Sequence, residues 1–215
     1  MPSPISNSLH TSGKANKKFV ANAIALLVAL LSIYCSGCKT GTTEVPDIKG
    51  KLLNGDSVSL RAIAKNKLTV VNVWGIFCGP CMQELPIIQR VYEKYRNNKD
   101  LAFITVAMDS ERELDRFLHA TDTTDPYRKL FLYSKVVNFS LPAISVLPHG
   151  YTHMYGAYGL IQDSTEARII AKKVNSNAIP TTLIYNPDGK LVFRHIGSFD
   201  NDQVLTHKID SLLSH

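Results

Sequence analysis

The chain has 215 residues, 45% hydrophobic and 20% charged, which suits one globular domain of about 100–200 residues with a segment to spare. Its formal charge is +6, but the first 37 residues carry three lysines and no acid. Taking those three from 24 basic residues leaves 21 against 18 acidic, a net +3. So balanced a remainder, without any cluster of Lys and Arg interleaved with aromatics, excludes the electrostatic footprint of a nucleic-acid binder.

Polar residues 1–18, with Lys14, Lys17 and Lys18, precede the apolar run from Phe19 to Cys35. A basic stretch followed by an apolar one is the layout of a secretory signal. Asn22 and Ser32 interrupt the run, and it falls short of the roughly 20 residues that span a bilayer comfortably. Cleavage is therefore the expectation, with an uncleaved anchor helix as the alternative. Cys35-Ser36-Gly37-Cys38 resembles the lipobox of bacterial lipoproteins, with Cys35 at the place usually held by leucine. That resemblance makes 1–37 a lipoprotein-type signal peptide, Cys38 the lipidated residue and 38–44 a polar, lipid-anchored tether.

The domain begins near Val45. Ile48–Leu53 and Val58–Leu60 flank Asn54-Gly55, which predicts a β-hairpin closed by a two-residue type I′ turn. Leu68–Trp74 is dense in β-branched residues and reads as a strand buried on both faces. From Cys81 to about Asn97, Leu85, Ile88, Val91, Tyr92 and Tyr95 recur at helical spacing, with Pro86 as a kink inside the pattern. Leu101–Ala107 reads as another buried strand and Glu111–Thr121 as another helix, so parallel strands joined by helical crossovers are expected. Residues 122–164 hold strand-like Lys129–Tyr133 and Val136–Phe139 among prolines and glycines, and are long for a connection. They read as an insertion. Thr165–Asn175 is expected to be a helix, Thr182–Tyr185 and Leu191–Ile196 a hairpin around Asn186-Pro-Asp-Gly189, and Asp200–Leu213 the closing helix.

Chemistry concentrates at Cys78-Gly79-Pro80-Cys81. Two thiols separated by a tight Gly-Pro turn can close into a disulfide. At a helix start, unpaired N–H groups and the positive end of the helix dipole favour a thiolate. Cys78 holds that place and is expected to be the more exposed, attacking thiol, with Cys81 resolving the mixed disulfide. A zinc site would need a second pair of ligands. None remains once Cys35 and Cys38 are removed or lipidated, and His149 and His153 stand in a Gly/Pro-rich loop without a further ligand. No metal or other cofactor is expected. An exported domain left with Cys78 and Cys81 alone has no separate structural disulfide.

Val71-Asn-Val-Trp-Gly-Ile-Phe-Cys-Gly-Pro-Cys-Met-Gln-Glu-Leu-Pro86 and Ile179-Pro-Thr-Thr-Leu-Ile-Tyr-Asn-Pro-Asp-Gly-Lys190 resemble the two signatures of the membrane-tethered, thioredoxin-like thiol–disulfide oxidoreductases. That TlpA/ResA-like group lies within the redoxin/AhpC-TSA superfamily and includes cytochrome c maturation proteins. The resemblance implies an α/β thioredoxin fold over 45–215, with a central mixed sheet flanked by helices, an N-terminal hairpin extension and a long insertion at about 122–164. It implies a cis Pro180 facing the dithiol and a backbone at Ile179 that receives an extended substrate. Glu84 matches the acidic residue that follows the dithiol in those relatives, where it could accept a proton or raise the thiol pKa values by repulsion; its alternative is an exposed helix carboxylate. Asn72 stands where thioredoxins carry a buried aspartate. Phe77 replaces the usual Trp before the first cysteine. Trp74, Phe77, Gly79, Pro80, Ile179 and Pro180 are the expected substrate-contacting residues, Trp74 as a core and wall residue.

The function implied is thiol–disulfide exchange in the cell envelope, on the periplasmic or extracytoplasmic side, reducing disulfides of exported proteins and recharged by a membrane thiol carrier. Gly-Pro between the cysteines points to the reducing end of the scale, where thioredoxin lies near −270 mV. A thiol peroxidase of related fold is the alternative enzyme, but no Pro-x-x-x-Thr/Ser frame precedes Cys78. From another class come a partner-docking module or a copper carrier, for which His149, His153 and His195 are nominal ligands.

Overall fold

Every residue from Leu68 to Trp74 is buried, and this run is an inner strand of the sheet. The computed structural model describes residues 44–147, 165–174 and 176–214. The segment expected to be a signal (1–37), Cys38, most of the expected tether, His149 and His153 lie outside the described residues. Among those described, no helix is long and apolar enough to cross a membrane.

The strands, in chain order, are β1 (Lys49–Leu52), β2 (Ser57–Ser59), β3 (Leu68–Trp74), β4 (Leu101–Ser110), β5 (Ala143–Leu147), β6 (Thr181–Tyr185) and β7 (Leu191–Ile196). They form one sheet in the order β2-β1-β5-β4-β3-β6-β7. β3, β4 and β5 run parallel, while β6 opposes β3, β7 opposes β6 and β1 opposes β5. The mixed sheet with flanking helices is the expected α/β thioredoxin architecture. β3 and β4 are buried at every position, as strands covered on both faces must be. Each fully buried Val, Leu or Ile there contributes about 1.5–3 kcal/mol. Toward the ends of the sheet, β1, inside edge strand β2, alternates between exposed and half-buried positions, and edge strand β7 holds both kinds with none buried.

The helices are α1 (Leu60–Ile63), α2 (Gly79–Tyr95), α3 (Glu111–His119), α4 (Pro126–Ser134), α5 (Thr165–Val174) and α6 (Gln203–Leu213). α2 runs on through Pro86 as one element, burying Cys81, Met82, Glu84, Leu85, Ile88 and Val91. Its far end is tied to α6, where Lys94 reaches Asp210 at 3.1 Å and the Tyr95 hydroxyl reaches the Thr206 carbonyl at 3.2 Å. α3 opens with a full capping box: Ser110 Oγ accepts from Glu113 N at 3.3 Å and Glu113 Oε2 accepts from Ser110 N at 3.0 Å. That reciprocal pairing satisfies two helix-end donors at once.

Four expectations need correction. Lys129–Tyr133 is helix, not strand, because Asp125 caps the backbone N–H of Tyr127 at 2.8 Å and Pro126 fills the first helical position, a strong helix start. Val136–Phe139 is no strand either: Lys135 and Asn138 adopt positive φ (58° and 54°), which breaks an extended run. The stretch taken as an insertion supplies α4 and also β5, an inner strand between β1 and β4, so part of it is integral to the sheet. The hairpin forms, but not with a type I′ turn. Leu52 N bonds Asp56 O and Gly55 N bonds Leu52 O, both at 2.9 Å, and only Gly55 takes positive φ (+87°). A three-residue loop with glycine in the left-handed position results. Smaller shifts occur at element ends: Leu60 opens α1 rather than ending β2, and α6 starts at Gln203 rather than Asp200.

Candidate redox site

Strand β3 delivers the chain to Gly75, where it turns. Cys78 N bonds Gly75 O at 3.2 Å, and the buried carboxylate of Asp109, at the end of β4, accepts from Ile76 N at 3.0 Å. That turn puts Cys78 at the N-cap of α2 in extended conformation (φ −95°, ψ 104°), with Gly79 and Pro80 as the first helical residues. Pro80 has no N–H to leave unpaired, so the donor that reaches back is Cys81 N, 3.2 Å from Cys78 Sγ. Cys78 and Cys81 are joined by a disulfide with their Cα atoms 5.2 Å apart. Both cysteines are fully buried, so the expected greater exposure of Cys78 is not found. What distinguishes the two is position: Cys78 caps the helix and Cys81 lies inside it.

Across from the helix start, Ile179 and Pro180 are joined by a cis peptide bond. The Ile179 carbonyl oxygen lies 3.5 Å from Cys78 Sγ, and Pro180 O accepts from Gly197 N at 2.9 Å. Residues 101 positions apart in sequence thus meet at one sulfur, because β6 pairs with β3 from Thr69↔Tyr185 to Val73↔Thr181.

Glu84 is buried, 1% exposed, and so is no surface carboxylate. Its Oε2 accepts from Asn72 Nδ2 at 3.1 Å and its Oε1 from the backbone N–H of Phe199 at 3.3 Å. Burial pushes its pKa from 4.5 up to about 7, against the opposing pull of the hydrogen bonds from Asn72 and Phe199. The loss of hydration on the charged form outweighs two good donors.

The remaining expected contact residues divide. Phe77, Gly79 and Pro80 are half-buried at the mouth of the turn, and Phe77 packs edge-on against Tyr127 of α4 with centroids 5.3 Å apart. Trp74 is fully buried, packed against Phe117 and Phe139 at 6.1 and 6.0 Å, in the core position expected of it. Asn72, Thr182, Asp109 and Phe199 all shape the site. Asn72 was visible in the sequence only as a missing aspartate, and Phe199 acts through its backbone, which no side-chain pattern reveals. His195 stacks on Phe199 at 4.1 Å; among the described residues no group of three or more His, Cys, Asp and Glu could hold a metal ion.

A buried disulfide at a helix N-terminus, facing a cis-proline on a central mixed sheet, defines a thioredoxin-like thiol–disulfide oxidoreductase. Residues 41–194 match the sequence profile of the AhpC/TSA family, and the chain belongs to that family. It is 29% identical over 122 residues to the thioredoxin-like protein YneN of Bacillus subtilis, covering 56% of this chain and 68% of the relative. To the thiol-disulfide oxidoreductase ResA of Halalkalibacterium halodurans it is 24% identical over 152 residues, 71% of this chain and 66% of that one. The thioredoxin domain of a thiol-disulfide oxidoreductase from Bacteroides vulgatus shares the fold, with a TM-score of 0.51 at 18% identity over 81% of this chain and 98% of that chain.

Proposed function

We propose that this chain is an extracytoplasmic reductant of protein disulfides, held to a bacterial membrane through a lipid on Cys38 and organised as a cleaved signal (1–37), a tether (38–44) and the redox domain (45–215). The observation that carries the reading is the Cys78–Cys81 disulfide at the start of α2, with Ile179 O 3.5 Å from the Cys78 sulfur.

In the reduced protein the Cys78 thiolate attacks one sulfur of a client disulfide, and the other client sulfur leaves as a thiolate. Cys81, deprotonated by Glu84, then attacks Cys78 Sγ. The Cys78–Cys81 bond forms, the mixed disulfide breaks, and the second client sulfur leaves. Two electrons pass to the client, and the two thiol protons end on its two sulfurs. Cys78 takes the attacking role because it caps the helix, where unpaired N–H groups and the dipole favour negative charge. Glu84 suits proton exchange near neutral pH, since a carboxyl poised close to the working pH both accepts and releases a proton. Phe77, Gly79, Pro80 and the Ile179–Pro180 backbone form the client platform.

A membrane dithiol carrier restores the reduced pair. Clients are exported proteins carrying a disulfide. The resemblance to cytochrome c maturation proteins makes the Cys-x-x-Cys-His segments of exported apocytochromes the first client class to examine. The decisive experiment traps clients as mixed disulfides with Cys81→Ser in intact cells. Adducts with envelope proteins, lost in Cys78→Ala/Cys81→Ser, support the reading. Adducts confined to cytoplasmic proteins, or none, overturn it.

A further inference from the structure

Glu84 has two hydrogen-bond partners of different kinds. Phe199 offers Oε1 a backbone N–H, which can only donate. Asn72 offers Oε2 a carboxamide, which donates from one end and accepts at the other. Its Nδ2 uses one hydrogen on Glu84 at 3.1 Å and the second on Thr182 Oγ1 at 3.0 Å. Its Oδ1 is buried with no partner. Asn72, Thr182 and Glu84 are all sealed from solvent, at 0%, 0% and 1% exposure.

We propose that Asn72, braced by Thr182, is the positioning residue of Glu84 and that its amide meets the carboxylate and the carboxylic acid in opposite orientations. The carboxylate needs donors, and the observed orientation supplies Nδ2. A proton on Oε1 would face the Phe199 N–H and have no acceptor, so the proton resides on Oε2. There it needs an acceptor, and rotation of the Asn72 amide by 180° brings Oδ1 to it. The same rotation turns the other contact from Nδ2–H donating to Thr182 into the Thr182 hydroxyl donating to Oδ1, because a hydroxyl serves as either partner. Two donated hydrogen bonds become two accepted ones and the carboxyl stays paired in both states, while the Nδ2 hydrogens move to the buried place where Oδ1 now has no partner, a cost that the bond to the carboxylic acid must offset. An aspartate here would supply no donor to the carboxylate, and an aliphatic residue would leave Oε2 unpaired.

The inference rests on the reading that Glu84 holds the proton of the resolving thiol. The neighbouring titratable groups are Cys81, three residues earlier on α2, and His195, which pairs with Thr182 across β6 and β7 and stacks on Phe199. Burial raises the Glu84 pKa, and the hydrogen bonds from Asn72 and Phe199 lower it.

The test follows the Glu84 carboxyl carbon and the Asn72 side-chain amide by NMR across a pH titration of the oxidised protein. Thr182→Val, nearly isosteric, and Asn72→Ala are compared with the unmodified chain. Asn72 amide resonances that titrate with the Glu84 midpoint support the clamp. A midpoint raised by about one unit, tenfold in proton affinity, in Asn72→Ala while the Asn72 amide of the unmodified chain does not titrate marks a fixed donor and overturns the reorientation. Asn72 resonances indifferent to Glu84 overturn it. The pH profile of disulfide exchange in Glu84→Gln separates the two ideas. If that profile matches the unmodified protein while Asn72 still follows Glu84, the clamp stands and the catalytic role of Glu84 falls.

Discussion

The carbonyl of Ile179 lies 3.5 Å from the sulfur of Cys78, so the residue before the cis-proline and the cap of the dithiol helix share one surface. In the proposed reaction, that closeness would give a client's extended segment laid along Ile179 a short path to the Cys78 sulfur. The two residues meet because β3, which leads to the turn before Cys78, and β6, which follows Pro180, are hydrogen-bonded neighbours in the sheet.

Alkylation distinguishes the cysteines once the disulfide is reduced. Cys78 caps α2 and receives the Cys81 N–H, an environment that favours its thiolate. Cys81 lies inside the helix. Iodoacetamide under limiting conditions is expected to label Cys78 first, with mass spectrometry of the 78–81 peptide as the readout. Equal labelling, or labelling of Cys81 first, would reverse the assigned roles. Cys78→Ala is expected to lose insulin disulfide reduction altogether.

Stability should carry the mark of Glu84. Its pKa rises from 4.5 to about 7 on folding, so the folded chain holds a proton that the unfolded chain gives up between those values. The contribution is complete below pH 4.5 and is lost as pH climbs through 7. A shift of this size corresponds to roughly 3 kcal/mol as an upper figure. Asp122 and Asp210 are held below their usual range, Asp122 by the backbone N–H and hydroxyl of Thr124 and Asp210 by Tyr95 and Lys94. They act at lower pH, outside this window. Denaturant unfolding between pH 4.5 and 8 is expected to show the fall in the unmodified protein and a flatter profile in Glu84→Gln. Parallel profiles would sink the assignment.

Much of this site can be read in the chain because its parts are local. A dithiol after a buried strand, and an Ile-Pro before another, are short motifs whose surroundings repeat the strand and helix periods. The partners of Glu84 are not local. Thr182 is 110 residues from Asn72 and Phe199 is 115 from Glu84, and they meet only when β6 pairs with β3 and the chain returns toward α6. Burial of Cys78 was equally invisible, since a helix start is ordinarily open and here the fold covers it. In α4 the apolar residues Leu130, Phe131, Leu132 and Tyr133 mimic a strand. The Asp125-Pro126 start, which overrides that pattern, is a two-residue signal.

The cap on α3 is a test of local stability away from the dithiol. Ser110 Oγ holds the Glu113 N–H, and Glu113 returns the contact to Ser110 N. Ser110→Ala removes one half of the exchange and is expected to cost about 1 kcal/mol, read from the urea midpoint. Disulfide exchange should be unaffected, since the cap does not touch the cysteines. A cost near zero would mean that Glu113 holds the helix end alone.

Gly50 tests whether the hairpin is structural. It lies in β1, which joins β2 to β5, and a Cβ built there would sit 2.2 Å from the Ser145 carbonyl oxygen and 2.3 Å from Ile144 Cγ2. The first of these is backbone, so no side-chain rotation relieves it. β1 must move away from β5 or the alanine cannot fit. Overpacking of this kind costs about 1–3 kcal/mol, and Gly50→Ala is expected to fall in that range by urea unfolding. The loss should appear first in hydrogen exchange of the β1 and β5 amides, because β5 remains paired with β4 on its other side. β3, α2 and β6 lie beyond β4, so the reduced variant should keep its rate of disulfide reduction per folded molecule. An unchanged midpoint would show that β1 is not held against β5 in solution. A rate that falls with the hairpin would show instead that the N-terminal hairpin and the dithiol are coupled through the sheet.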